Sequence, residues 1–138
     1  MLSGHDAQLD DIRDALRRGG LIDITTTGRR SGQARRIEVV FFSFDGHIYV
    51  SGLPGPRAWI ANLKTDPHMT FHLKKRVMAD LPATARVISD EAERRPILTR
   101  VCRLWKREAQ TEAFVKRAPL IDVAFEDPSL PGRTEAAA

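Results

Sequence analysis

Residues 21–44, LIDITTTGRRSGQARRIEVVFFSF, decide the fold prediction for this chain. Two runs rich in β-branched and aromatic residues, 21–27 and 37–44, flank a connection that holds four arginines, two glycines and no acid. This pattern predicts two strands joined by a cationic loop. The second strand is apolar on both faces, which is typical of a strand buried on both sides, inside a barrel or against a partner subunit.

The connection at residues 28–36 has the composition of an anion-binding loop. Its arginines offer forked, permanently charged donors: Arg29, Arg30, Arg35 and Arg36. Its small residues let backbone N–H groups approach a bound anion: Gly28, Ser31 and Gly32. The loop therefore predicts a phosphate or carboxylate site. The alternative is a solvated surface turn whose charges discourage edge-to-edge pairing of strands.

Length and charge point to one domain with a local basic patch. The chain has 138 residues, and we predict a single domain over residues 1–127 followed by a flexible tail over 128–138. The net charge is +4, which the four arginines of the loop account for by themselves. A local patch favours a small anionic ligand, and we predict no nucleic-acid partner.

The remaining composition predicts a cytoplasmic protein that binds no metal ion. Cys102 is the only cysteine, so the chain cannot form an internal disulfide, and the N-terminus has no secretion-signal pattern. His68 and His72 lie on an alternating, strand-like segment, where residues four apart are about 13 Å from each other and cannot share one ion. Contact of the arginine loop with an anionic membrane surface stays an alternative.

The order of elements predicts a small closed sheet. Short strand patterns, a hairpin signal at Asp45 and Gly46, and helical patterns at the start, in the middle and before the last strand indicate an α+β chain. Antiparallel meanders hide their edges by closing. We therefore predict a mainly β fold with helices, a split antiparallel β-barrel of six to seven strands.

Two motifs carry a resemblance to a known family. The run TTTGRRSGQARR, followed by a hairpin and by SGLPGPRAWIANLKTDP, resembles the deazaflavin-dependent nitroreductase family of the FMN-binding split β-barrel superfamily. The resemblance covers residues 21–87. It implies an oxidoreductase that binds coenzyme F-420, an 8-hydroxy-5-deazaflavin with a phosphate and an oligoglutamate tail. Hydride would pass from the reduced ring to a small electron-poor acceptor, namely a quinone, an activated alkene or a nitro compound.

The resemblance also implies which residues bind the cofactor. Ten positions match or adjoin the family motifs: Arg29, Arg30, Ser31, Gly32, Arg35, Ser51, Gly52, Arg57, Trp59 and Asn62. Arg57 stands where the family often has a proline, so it either adds a phosphate contact or changes the pose of the cofactor. Trp59 is either a wall for the ring or a core anchor of its helix. The acceptor is expected under the helical segment at residues 90–116, and we name no catalytic acid or base.

The sequence is also compatible with three other functions. An FMN-dependent oxidoreductase would use the same barrel, although a single phosphate needs fewer arginines. A non-catalytic flavin- or tetrapyrrole-binding protein would bind tightly without hydride transfer. A peripheral membrane protein would use the arginines on lipid headgroups. The pattern allows a monomer or a homodimer.

Overall fold

Six strands and four α-helices make up residues 4–132, the part of the chain that this computed structural model describes. In chain order they are α1 Gly4–Arg18, β1 Gly20–Thr27, β2 Ala34–Phe44, β3 His47–Ser51, α2 Ala58–Thr65, β4 His68–Lys74, β5 Met78–Val87, α3 Glu91–Leu104, a 3-10 turn Glu108–Gln110, α4 Thr111–Arg117 and β6 Leu120–Phe125. No helix in this part of the chain is long and apolar enough to span a bilayer.

The strands form a closed antiparallel barrel in the order β1-β2-β3-β6-β5-β4. The predicted split-barrel fold is therefore confirmed, with six strands. The predicted start of β2 at residue 37 is wrong, because the strand begins at Ala34. Arg35 and Arg36 pair there with Thr26 and Thr25 of β1, so cross-strand pairing extends the ladder through two charged residues that the hydrophobic pattern does not mark.

The barrel interior holds the larger of two apolar clusters. Alternate residues of every strand point inward, as the period of two requires, and α1 and α2 contribute side chains to the same cluster. Fully buried members include Leu16, Ile22, Ile24, Phe71, Ile121 and Val123. Phe71 packs edge-to-face on both Phe41 and Phe125, with ring centroids 5.2 and 5.1 Å away.

The second cluster lies outside the barrel, between its wall and helices α3 and α4. Phe42 and Phe44 of β2 contribute to it from the wall, and Leu98 and Phe114 contribute from the helices. Both apolar faces of β2 are thus buried within one chain. The double burial that the sequence indicates needs no partner subunit.

Arg94 of α3 ties the end of α4 to the exit of β5. Its guanidinium is buried and donates to four carbonyl oxygens, those of Val115 (2.7 Å), Ile88 (2.8 Å), Phe114 (3.2 Å) and Ala118 (2.6 Å). These oxygens include carbonyls at the C-terminus of α4, which have no partners inside the helix. Burial lowers the pKa of Arg94. The side chain acts as a structural bridge between the two helices.

An ion pair joins β5 to the first turn of α3. Arg86 donates to both carboxylate oxygens of Glu93, at 3.0 and 2.5 Å, and also to Asp122 of β6 at 3.2 Å. Hydrogen bonding from Arg86 lowers the pKa of Glu93. Asp90 caps the same turn, because its Oδ2 accepts from the Glu93 backbone N–H at 3.2 Å.

Part of the segment that follows β6 lies against the barrel. Leu130 packs on the interior cluster, and Arg13 of α1 donates to the carbonyl of Ser129 at 3.0 Å. Residues 133–138 of the predicted tail lie outside the described residues. The proposed domain boundary at residue 127 therefore stays a prediction.

Candidate functional site

A cleft of about 590 Å³ opens at the end of the barrel where β1 turns into β2. Seven of the ten residues predicted to bind the cofactor line it: Arg29, Arg30, Ser31, Arg35, Arg57, Trp59 and Asn62. Its other lining residues are Thr26, Gly28, Ile37, Glu38 and Ala58. We call this cavity the arginine cleft.

The loop between β1 and β2 is held in one tight conformation. Gly28 N–H donates to Gln33 O, and Gly32 N–H donates to Gly28 O, both at 2.8 Å. Gly32 has a φ of +70°, a region that favours glycine. A Cβ on Gly28 would lie 2.6 Å from Ser31 Oγ, which itself accepts from the Gln33 N–H at 3.1 Å. The two glycines and the serine therefore shape the turn that presents the arginines.

Asn62 fixes this loop to α2. Its Oδ1 accepts from the Arg29 backbone N–H at 3.1 Å and from Arg29 Nη1 at 3.0 Å. Its Nδ2 donates to Thr26 Oγ1 at 3.2 Å, and both Asn62 and Thr26 are buried. A buried amide with donors and acceptors matched on both sides holds its partners in place. Asn62 therefore positions Arg29, a role that its motif alone does not indicate.

The cleft gathers four arginines and one acid, Glu38, which forms an ion pair with Lys74. Among the described side chains, none of the ion pairs involves Arg29, Arg30 or Arg35. Arg36 differs, because it lies on the opposite face of β2 and donates to Asp23 at 3.0 Å. The predicted cluster of four free arginines is thus corrected to three, since alternate residues of a strand point to opposite faces.

Arg57 is the fourth arginine of the cleft. It precedes α2, and its guanidinium donates to the carbonyls of Leu53 (2.9 Å), Gly55 (3.0 Å) and Pro56 (3.2 Å) in its own loop. No acid pairs with it among the described side chains. Arg57 therefore adds a positive charge to the cleft and also stabilises the conformation of the loop at residues 52–57.

One wall of the cleft is apolar. Trp59 is 6% exposed, belongs to the barrel cluster and also lines the cleft with Ile37 and Ala58. The two roles considered for Trp59, core anchor and wall, are therefore compatible in one position. A cavity with an apolar wall and grouped cations suits a ligand that joins a flat ring to an anion.

Three predicted residues do not line the cleft. Gly32 lies in the same loop but only shapes the turn. Ser51 is 3% exposed and donates from Oγ to the Pro119 carbonyl at 2.6 Å, which links β3 to the start of β6. A Cβ on Gly52 would lie 3.6 Å from Pro119 Cγ. The structure therefore places Ser51 and Gly52 beside Pro119 rather than in the cleft.

The helical segment that we expect over the acceptor does not line the arginine cleft. None of the described lining residues of the arginine cleft comes from residues 90–116. Those helices instead cover Phe42 and Phe44 on the outer wall of the barrel. The position of the acceptor under residues 90–116 therefore stays a prediction.

Other polar groups that the sequence brings forward have structural partners. His72 lies between Thr25 Oγ1, 2.7 Å from Nε2, and Asp80 Oδ1, 2.6 Å from Nδ1. Cys102 is buried, and burial raises the pKa of its thiol. Among the described residues, no three His, Cys, Asp or Glu side chains come together as a metal site.

Solved structures with the same fold support this architecture. A Clostridium acetobutylicum protein related to general stress protein 26, of the pyridoxinephosphate oxidase family, matches with a TM-score of 0.67 at 12% identity, over 90% of this chain and 87% of that one. An F420-H2 dependent reductase, FDR-A, matches with a TM-score of 0.54 at 21% identity, over 75% of this chain and 93% of that one. At these identities the likeness concerns the fold.

The sequence itself matches a family of known chemistry. The family model described as F420H(2)-dependent quinone reductase matches residues 11–122, well over half of the chain. The match spans the arginine loop, α2 and the barrel strands as far as the middle of β6. It confirms the resemblance to deazaflavin-dependent reductases that the two motifs indicate. The chain belongs to the F420H(2)-dependent quinone reductase family, a family of oxidoreductases.

Proposed function

We propose that this protein binds reduced coenzyme F-420 in the arginine cleft and reduces a quinone. The observation that carries the proposal is that Arg29, Arg30 and Arg35 lie around one cleft without carboxylate partners among the described side chains. Three guanidinium groups that line one cleft repel each other, and a bound anion would relieve the repulsion. An anionic cofactor would supply the missing charge.

The phosphate and the first tail carboxylates would bind at the β1–β2 loop. Guanidinium groups bind phosphate and carboxylate through paired N–H donors, and such charge-assisted bonds are among the strongest in proteins. Asn62 holds the Arg29 backbone and side chain in place from α2. Little rearrangement would then be needed when the anion arrives, which favours affinity.

The apolar wall formed by Trp59, Ile37 and Ala58 would accept the ring of the cofactor. The bound coenzyme supplies the hydride, which with one proton converts a quinone to a quinol. The protein would hold the ring beside the acceptor and exclude water from its buried side. The quinone assignment follows the family, while an activated alkene or a nitro compound stays an alternative acceptor.

The test is a fluorescence titration of the purified protein with coenzyme F-420 and, in parallel, with FMN. Replacing Arg29 or Arg35 by alanine is expected to weaken F-420 binding about tenfold or more, since each loses a charge-assisted contact. Arg36→Ala is the matched control, because it removes the same charge from the outer face of the same strand. Its affinity for F-420 should stay near that of the parent protein.

Two outcomes would contradict the proposal. Equal weakening by Arg36→Ala would mean that the cleft is not the binding site, and binding of FMN alone would mean that the cofactor is wrong. Once binding is established, oxidation of the reduced coenzyme is followed by absorbance with a soluble naphthoquinone. Failure with a quinone but success with a nitro compound or an activated alkene would correct the acceptor only.

A further inference from the structure

A second cationic cavity of about 280 Å³ lies on the other side of α2. We call it the distal cavity. Its lining includes five basic side chains, those of Arg57, Lys64, Arg94, Lys116 and Arg117, and no acidic side chain among the described residues. A concave surface with charge of one sign concentrates its field and attracts ions of the opposite sign.

None of these five cations forms an ion pair with an acid among the described side chains, but two of them are held by backbone carbonyls. Arg94 donates to four backbone carbonyls, and Arg57 donates to three in its own loop. In contrast, Lys64, Lys116 and Arg117 are exposed and take part in no ion pair among the described side chains. They are therefore free to bind an anion from solution.

The distal cavity adjoins the arginine cleft at the start of α2. Arg57 lines both cavities. Beyond it, Trp59 and Asn62 face the arginine cleft, whereas Lys64 faces the distal cavity. The Gly55 N–H donates to the Arg117 carbonyl at 3.0 Å, so the loop before α2 is fixed to the end of α4. Cationic surface thus continues around the start of α2 from one cavity to the other.

We propose that the distal cavity binds the outer carboxylates of the anionic tail whose phosphate lies in the arginine cleft. The inference rests on the proposed function. A compact anion such as a single phosphate would fill only one of the two cavities. An extended chain of carboxylates can pass Arg57 and place negative charge in both, where forked and point-charge donors are available. The distal cavity would therefore distinguish long tails from short ones.

The experiment compares two forms of coenzyme F-420, one with a single glutamate and one with a long oligoglutamate tail. Both are titrated by fluorescence against the parent protein and against a Lys116→Gln, Arg117→Gln double variant. The variant is expected to bind the long-tailed form about fivefold more weakly and the short-tailed form with unchanged affinity. The matched control is Lys75→Gln, Arg76→Gln, which removes two exposed cations from the turn between β4 and β5. It should leave both affinities unchanged.

The outcomes separate this inference from the proposed function. If both forms bind and the double variant keeps the parent affinity for the long tail, the distal cavity is not a tail site while the cofactor assignment stands. Equal weakening by the control variant would also overturn it, because the effect would then be one of total charge. If neither form binds the parent protein, both proposals fail. Lys64→Gln, on α2, repeats the test should the double variant not fold.

Discussion

Arg94 is a buried cation that is stabilised by carbonyl oxygens rather than by an acid. Its guanidinium donates four hydrogen bonds, to carbonyls in and just after α4 and to that of Ile88 just after β5, so the charge is spread over several dipoles. The sequence could not indicate this role. On a helical pattern Arg94 and Arg95 are neighbouring polar residues, and only the packing of α4 on α3 decides which of them is buried.

Replacing Arg94 by methionine is expected to destabilise the fold by about 3 kcal/mol, because several buried carbonyls lose their donor while most of the side-chain volume remains. Urea unfolding at neutral pH measures the change. Arg95→Met is the control, since Arg95 pairs at the surface with Glu91 and Glu112 and should cost less than about 1 kcal/mol. Similar losses for the two variants would mean that the carbonyl contacts of Arg94 contribute little.

Single residues of the cleft were predictable to different degrees. Arg29, Arg30 and Arg35 could be named from the sequence, because they lie with no acid between two predicted strands and offer donors for an anion. The hydrogen bonds that hold Arg29 on Asn62 join residues far apart in sequence, and they depend on where α2 packs on the barrel. Ser51 was predicted to bind the cofactor from its local motif. That motif gives no indication that the hydroxyl donates to the distant Pro119 carbonyl.

The connection between β5 and α3 depends on a bidentate ion pair. Arg86 on the strand and Glu93 in the first turn of the helix bind through both carboxylate oxygens, and the same turn carries the Asp90 cap. This geometry explains why α3 starts at Glu91 and lies against the barrel wall. The strand partner of Glu93 could not be predicted from the sequence, because Arg86 and Glu93 meet only when α3 lies against the barrel.

The Arg86–Glu93 coupling should depend on pH in the acid range. The pKa of Glu93 is lowered from 4.5 by Arg86, so the pair contributes stability above pH 4.5 and loses it as the pH falls towards the lowered pKa. A double-mutant cycle with Arg86→Met and Glu93→Gln, measured by urea unfolding, should show favourable coupling near pH 6 that decreases as the pH falls below 4.5. Coupling that is unchanged at low pH would contradict this assignment.

Strand boundaries show why element ends were harder to predict than elements. The hydrophobic pattern of β2 begins at residue 37, yet the ladder starts at Ala34 because Arg35 and Arg36 can pair with β1 whatever their charge. The extension has a functional effect. It sends Arg35 into the cleft and Arg36 to the outer face, where Asp23 and Lys74 form a surface network.

At the scale of the molecule, closure of the barrel could be predicted from the sequence, whereas the positions of the helices on the barrel could not. Alternating strands with no long polar edge favour closure, as the sequence indicated. The docking of α3 and α4 against β2, β3 and β6 follows from which outer face is apolar, and this becomes clear only once the register is known. The distal cavity, which needs α2 and α4 side by side, was invisible for the same reason.

The unpaired cations on both sides of α2 should make cofactor binding sensitive to salt. Raising the salt concentration from about 0.05 M to about 0.5 M is expected to weaken binding of coenzyme F-420 roughly tenfold, since screening shortens the reach of these charges. The deazaflavin chromophore without phosphate and tail is the control, and its affinity should change little. Equal salt dependence for the two ligands, followed by fluorescence titration, would show that the cations are not the cause.

The last strand in the described part of the chain, β6, is also the one that completes the ring. β6 pairs with β3 on one side and with β5 on the other, and every residue from Leu120 to Phe125 is buried. Until the ribosome has released this segment, two strand edges and the interior cluster stay open to other chains. A product that ends shortly before residue 120 would therefore be prone to aggregation, although it would contain every residue of the arginine cleft.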